Sequence, residues 1–454
     1  MKTKLSIGQY TAIGFMLFAL FFGAGNLIFP AQLGQNAGSE FWPAVIGFLI
    51  TGVGLPLVGV LAIGFSGSSS LLELSSRVHP YYGVFFTSLL YLTIGPFFAI
   101  PRTATVAYDI GFSQYFANDG IALLVYSFIF FAVTLWFSLS PSKLVDRIGK
   151  LMAPGIIILL GLMVALALIN PMGSFEAPQG DYVTGPFVKG FLEGYNTMDA
   201  LASLVFAIIV IEAIKSFGIQ SKKEILSATV KSGLVATICL GLIYVGIAFL
   251  GGTSTARFGI FDTGGPVLKS AAGFYFGDFG SMILGIIIIL ACLTTSIGLV
   301  TSCAEYFHKL IPSVGYKQWA VVFSLVSFVI ANFGLANIIN FSIPVLMFLY
   351  PLAITLMLIT FLSPLFNHSR LVYVGTIGVA FCISIIDGIK TFCDLIGMTY
   401  FGWLQGIINF YTDVLPLYGQ GLGWLLPVLV VLVITGIIGR FQKGPVEAPA
   451  KQKI

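Results

Sequence analysis

The chain of 454 residues is 57% hydrophobic and only 9% charged, with a net charge of +4; soluble domains carry roughly 25% charge. A soluble globular domain is excluded, and nucleic acid is not implied, because the cations are confined to particular loops and form no basic patch. Cys239, Cys292, Cys303, Cys382 and Cys393 are odd in number, lack C-x-x-C spacing and lie mostly in apolar runs, so they suggest neither a disulfide framework nor a zinc site.

Apolar windows near residues 8 to 30, 41 to 65, 81 to 110, 120 to 140, 144 to 170, 189 to 214, 228 to 251, 279 to 307, 317 to 333, 337 to 363, 371 to 390 and 421 to 440 predict twelve membrane-spanning helices. The first span is expected to be retained as its own insertion signal, since no short apolar region with a small-residue cleavage site precedes it. A cytoplasmic N-terminus puts nearly all Lys and Arg inside, leaving out Lys189, Arg257, Lys269, Lys390 and the intramembrane Arg102. Both termini are therefore expected in the cytoplasm, with Glu40, Asp119, Glu176, Asp181, Asp262 and Asp413 outside. The connections 252–277 and 391–420 read as external lids or interfacial helices, and the tail from Phe441 as disordered.

The first span, TAIGFMLFALFFGAGNLIFP from Thr11, is interrupted at Gly23, Ala24, Gly25 and Asn26, roughly 20 Å deep by helical rise. Lipid-exposed unwound backbone would leave peptide groups unpaired at several kcal/mol each, so the break must line a cavity or be buried in protein. The sixth span is also interrupted, at Tyr195, Asn196, Thr197, Met198 and Asp199. An aspartate about 15 Å down needs a partner or a wet cavity, either as a packing residue or as a contact for substrate or coupling ion. Two interrupted spans five apart are the pattern of two inverted five-helix repeats whose broken helices meet at the midplane.

In the third span, Pro96 and Pro101 bracket a bend before Arg102, which must find an anion, a carbonyl or a vestibule; Asp109 is one candidate partner. Glu212 with Lys215, Glu305 with Lys309, and Asp387 with Lys390 stand at helical pair spacing and read as anchors. In the eighth span, Ala291, Thr294 and Thr295 share one face, offering two hydroxyls and a nearby carbonyl to a hard cation. Back-bonding to the i−4 carbonyl is the simpler reading of such threonines. His79, His308 and His368 all fall in cytoplasmic loops, and no H-E-x-x-H, G-x-S-x-G or P-loop occurs, which argues against an enzyme.

The segments GFMLFALFFGAGNLIFP, GPFFAIPRTATV, GYNTMDALASLVF and ACLTTSIGLVTSCAEYF together resemble the bacterial branched-chain amino acid:cation symporters of the BrnQ type, over essentially the whole chain. GAGN followed by aromatic-Pro also resembles the first helix of neurotransmitter:sodium symporters, and A-x-x-T-T their second sodium site. The resemblance implies an all-α membrane protein of the leucine-transporter fold: repeats over 1–170 and 171–363, two additional spans over 364–440, and the tail 441–454. It implies an inner (plasma) membrane location and import of leucine, isoleucine or valine with sodium as coupling ion. Ala19, Phe22 and Ala291 would give carbonyls, and Thr294 and Thr295 hydroxyls, to one sodium. Gly23, Ala24 and Gly25 would present N–H groups to the substrate carboxylate. Asn26 and Thr197 match positions of the other sodium site, for which span seven lacks an asparagine. Tyr195, Asn196 and Asp199 are assigned to the ammonium side of the substrate. Two rivals stay open, a proton-coupled symporter in which Asp199 titrates and a channel.

Overall fold

Ser6 starts the first helix. Its hydroxyl accepts from the Gln9 amide at 3.3 Å while the Gln9 side chain accepts from the Ser6 amide at 2.9 Å, a reciprocal cap. The computed structural model describes residues 5–113, 120–139 and 143–441; the expected outside residue Asp119 and the tail from residue 442 lie outside them. Among the described residues every regular element is helical. In order these are α1 (Ile7–Phe21), α2 (Ala24–Ala37), α3 (Phe41–Leu49), α4 (Leu55–Ser66), α5 (Leu71–Ser75), α6 (Pro80–Leu92), α7 (Ala99–Gly111), α8 (Gly120–Leu139) and α9 (Lys143–Ile169). There follow α10 (Pro186–Glu193), α11 (Asp199–Ser216), α12 (Lys222–Phe258), α13 (Gly264–Leu310), α14 (Tyr316–Ala331), α15 (Leu335–Leu362), α16 (Arg370–Ile396), α17 (Gly402–Val414) and α18 (Leu425–Phe441).

Length and apolarity alone mark seven helical stretches as able to cross a bilayer, or eight when the pair Pro186–Thr197 and Asp199–Ser216, bent by 45°, is one span. Ile7–Phe21, Ile157–Ile169, Tyr316–Ala331 and Leu425–Phe441 are shorter apolar helices. Helical backbone runs on from α2 to α4 through a tight turn at Gly38–Glu40 and a widened π turn at Ile50–Gly54. A second π turn, Thr93–Phe97, carries the bend expected around Pro96, with Gly95 itself out of helical geometry.

Both long connections contain helix, one of the two forms expected of them. Residues 252–258 continue α12, and residues 264–276 form the head of α13, which bends at Gly277 with φ of +66°. In the other connection, α17 occupies 402–414.

Small residues set how closely the helices at the site pack. A Cβ on Gly34 of α2 would stand 1.9 Å from the Ala248 carbonyl oxygen of α12, and one on Gly251 of α12 would stand 2.0 Å from the Ala31 oxygen of α2. Backbone meets backbone on both sides, as expected where lipid supplies no hydrophobic drive and packing must.

Charge pairing differs from the helical spacings. Among the described residues the ion pairs are Lys189 with Asp181 (3.7 Å), Lys189 with Glu193 (3.1 Å) and Lys390 with Asp394 (3.0 Å). Lys390 thus makes its ion pair with Asp394 and not with Asp387, and Glu212–Lys215 and Glu305–Lys309 do not pair; exposed Glu and Lys side chains gain little from holding such geometry. All five cysteines are free.

Candidate functional site

Two chain breaks meet at one cavity. At the first, Phe22 and Gly23 leave helical geometry with ψ of 92° and −166°, so α1 ends and α2 begins within the span. The last carbonyls of α1 and the first N–H groups of α2 have no helical partner, and Pro30, lacking an N–H, removes the donor for the Asn26 carbonyl. At the second, residues Gly194–Thr197 make a tight turn and Met198 takes a left-handed backbone with φ of 64°, after which α11 starts at Asp199. A methionine in this conformation carries strain, which the surrounding packing must hold in place.

A buried polar cluster ties the breaks together. The Gly23 amide donates to Asn26 Oδ1 at 3.0 Å, and Asn26 Nδ2 donates to Asp199 Oδ2 and to the Tyr244 hydroxyl. Tyr244 of α12 donates in turn to the same Asp199 oxygen at 2.8 Å. The Asp199 amide donates to Thr197 Oγ1 at 3.3 Å, and that hydroxyl donates to the Gly194 carbonyl at 2.9 Å. Tyr244 had no sequence signal beyond a phenol in the middle of an apolar helix, where a hydroxyl requires a partner.

Arg102 of α7 enters from the side. Its Nη1 donates to the Asn196 carbonyl at 2.7 Å and its Nη2 to the Thr197 carbonyl at 3.4 Å, and the guanidinium lies 5.1 Å from the Phe29 ring centroid. These carbonyls, freed by the break before α11, replace Asp109 as the partners of Arg102.

The cavity is about 40 Å³. Of the residues expected at the substrate, Gly23, Ala24, Gly25, Asn26, Thr197 and Asp199 line it; Tyr195 and Asn196 do not. Tyr195 instead stacks on Tyr350 with ring centroids 3.9 Å apart, and the Asn196 amide donates to Glu193 at 2.8 Å. Both stabilise the turn from behind.

Of the residues expected at a cation, Thr295 lines the cavity, and a Cβ on Gly23 would stand 3.4 Å from Thr295 Cγ2, so the first break abuts α13. Ala19, Phe22, Ala291 and Thr294 stand off the cavity lining. The Thr294 and Thr295 hydroxyls donate to the Ala291 carbonyl at 2.8 and 3.0 Å, the local bonding expected of membrane threonines. Each hydroxyl oxygen keeps lone pairs with which it could accept a further bond.

Residues 7–442 match the family described as branched-chain amino acid transport protein. The chain is 44% identical to the branched-chain amino acid permease BrnQ of Bacillus subtilis, covering 97% of this chain and 99% of that one. It is 45% identical to the permease BraB of the same organism, covering 97% and 98%, and 40% identical to the branched-chain amino acid transport system 2 carrier protein of Pseudomonas aeruginosa, covering 99% and 100%. In fold it is similar to the inward-facing conformation of Mhp1, with a TM-score of 0.59 at 14% identity over 94% of this chain and 90% of that one. It is similar also to MhsT in complex with L-phenylalanine, with a TM-score of 0.52 at 15% identity over 97% and 100%. These are leucine-transporter-fold proteins, and the likeness extends to the fold alone. A multi-pass membrane protein by its apolar helices and a transporter, not an enzyme, by its relatives, the chain belongs to the branched-chain amino acid transport protein family.

Proposed function

We propose that the protein imports leucine, isoleucine and valine across the plasma membrane with sodium, by alternating access around the cavity between the two broken helices. One observation carries the reading: both chain breaks, on α1/α2 and α10/α11, open on the same cavity. The N-terminus of α2, with Gly23, Ala24 and Gly25, suits a carboxylate by its free N–H groups and helix dipole. Asp199 suits the ammonium, and Leu20, Phe21, Ile94, Phe206 and Leu299 give an apolar wall for an aliphatic side chain. The names of the curated relatives supply the branched-chain preference.

Sodium is assigned to the oxygens of Ala19, Phe22, Ala291, Thr294 and Thr295. Movement of one charge inward at 100 mV supplies about 2.3 kcal/mol, and a tenfold ion gradient about 1.4. Together these support about 500-fold accumulation at the limit.

Twelve spans follow when α1 with α2, α3 with α4, α6 with α7, α8, α9, α10 with α11, α12, α13, α14, α15, α16 and α18 each cross once. Residues 1–170 and 171–363 then form inverted repeats of five spans, residues 364–440 add two more, and both termini are cytoplasmic. The equivalent position of the breaks, in the first and sixth spans, supports this arrangement.

A second reading, proton coupling, draws on the buried Asp199 carboxylate and its two side-chain donors, Asn26 and Tyr244. Counterflow of labelled leucine in proteoliposomes, with and without sodium, tests the proposal. Exchange stimulated by sodium is expected; exchange indifferent to sodium but dependent on a pH gradient transfers the coupling to Asp199, and currents far above carrier turnover point to a channel.

A further inference from the structure

We infer that Arg102 is a substrate-contacting residue, whose guanidinium joins the N-terminus of α2 in clamping the carboxylate of the transported amino acid. The inference rests on the amino-acid transport reading and names a ligand group that reading lacks.

Three features converge on it. Arg102 is 3% exposed, lines the cavity, and has a buried Nε with no hydrogen-bond partner, so its donors are not all engaged. Its Nη2 contact with the Thr197 carbonyl, at 3.4 Å, is longer than the usual 2.7–3.2 Å of an N–H···O bond. Third, the guanidinium sits directly against the head of α2. A Cβ on Gly25 would stand 2.8 Å from Nη2 and 3.1 Å from Cζ, so only glycine in the first turn of that helix leaves the space.

Two positive ends therefore stand side by side: a guanidinium and the free N–H groups of a half-helix. Without an anion between them they repel. Asp199, the one acidic residue lining the cavity, already accepts from Asn26 and Tyr244 through Oδ2. The cavity thus holds one cationic and one anionic side chain, a pairing that matches a zwitterion and makes a solute carboxylate the natural bridge between Arg102 and α2. The guanidinium fork fits a carboxylate through two parallel bonds, which a lysine ammonium reproduces only in charge.

The same geometry couples binding to the second break. Arg102 holds the Asn196 and Thr197 carbonyls, and a carboxylate that engages the guanidinium draws donors away from them. Binding at the first break thereby loosens the restraint on the second.

The test compares inhibition of labelled-leucine uptake by leucine and by leucinamide, which keeps the ammonium and side chain but lacks the carboxylate. The wild-type protein is expected to discriminate strongly against leucinamide. Arg102→Gln is expected to weaken leucine about 10- to 100-fold and leucinamide much less, so that the discrimination narrows; Arg102→Lys recovers part of it. Gly25→Ala, whose methyl displaces the guanidinium, is expected to reproduce the loss with Arg102 still present. A purely structural role for Arg102 would weaken both compounds together and preserve their ratio, which overturns the inference. So does a wild-type protein that takes leucinamide as well as leucine, a measurement that needs no variant to fold. Absence of leucine transport altogether would instead refute the amino-acid transport reading.

Discussion

Replacing Gly251 by alanine tests whether the α2–α12 contact sets the position of the site. The added Cβ would lie 2.0 Å from the Ala31 carbonyl oxygen and 3.2 Å from the Ala31 Cα. Neither atom can rotate away, because both are backbone, so relief requires the helices to separate by about 1.4 Å to reach an ordinary contact near 3.4 Å. Overpacking of this kind costs about 1–3 kcal/mol, and the displaced helix is the one whose first turn lines the cavity. Gly34→Ala presses on the same interface from the other side, with its Cβ 1.9 Å from the Ala248 oxygen. Each variant is expected to lower the apparent Tm of the detergent-purified protein and to cut leucine uptake about tenfold or more, since a shift near 1 Å in a positioned group has effects of that order. The double variant is expected to lose less than the sum, because the second methyl enters a gap that the first has opened. Gly241→Ala is the control: it lies on α12 with nothing within 4 Å of the new Cβ, and removing a helical glycine gains about 0.5–1 kcal/mol. A Gly251→Ala protein with wild-type Tm and uptake would refute the reasoning.

Thr294→Ala combined with Thr295→Ala is expected to abolish sodium-stimulated uptake with the protein still in the membrane; unchanged sodium dependence removes the ion from that face of α13. Tyr244→Phe deletes the donor to Asp199 at 2.8 Å, leaving a buried carboxylate under-satisfied at a cost of about 1–3 kcal/mol, read as a lower Tm and a raised KM for leucine. Asp199→Asn separates the coupling readings: under sodium coupling the variant still accumulates leucine down a sodium gradient, with reduced affinity, whereas under proton coupling it exchanges leucine but no longer accumulates it when a pH gradient is imposed.

The breaks were legible because they violate a rule that sequence can express. Gly23 to Asn26 and Tyr195 to Asp199 put helix-poor or polar residues where a continuous apolar helix was expected, and the structure places both interruptions there. What sat opposite them was not legible. Tyr244 is 45 residues from Asp199 and 218 from Asn26, and hydropathy contains no term for which helix faces which. Asp109 looked like the partner of Arg102 by proximity in sequence, yet seven residues along a helix place the two about 10 Å apart along its axis. The carbonyls that Arg102 found belong to the tight turn Gly194–Thr197, and backbone acceptors are invisible to any reading of side chains. Pairings such as Asp387 with Lys390 failed for a related reason: spacing permits a contact, while the competing partner Asp394, one turn further on, decides it.

The position of Tyr244 explains how two interrupted spans can be both discontinuous and fixed. Its hydroxyl joins Asn26 on α2 to Asp199 on α11, while α12, which carries it, meets α2 backbone to backbone at Gly34 and Gly251. The half-helix whose first turn lines the cavity is therefore held at its head by a polar cluster and along its length by close packing, with α12 contributing to both. A conformational change that moves α2 must move α12 with it or break the cluster; since buried polar groups left unpaired are costly, the first course is the less expensive. On that ground α2 and α12 are expected to travel as one body: a cysteine pair cross-linked between them is expected to leave leucine uptake intact and one between α2 and α7 to arrest it, and arrest by the first cross-link would refute the reasoning.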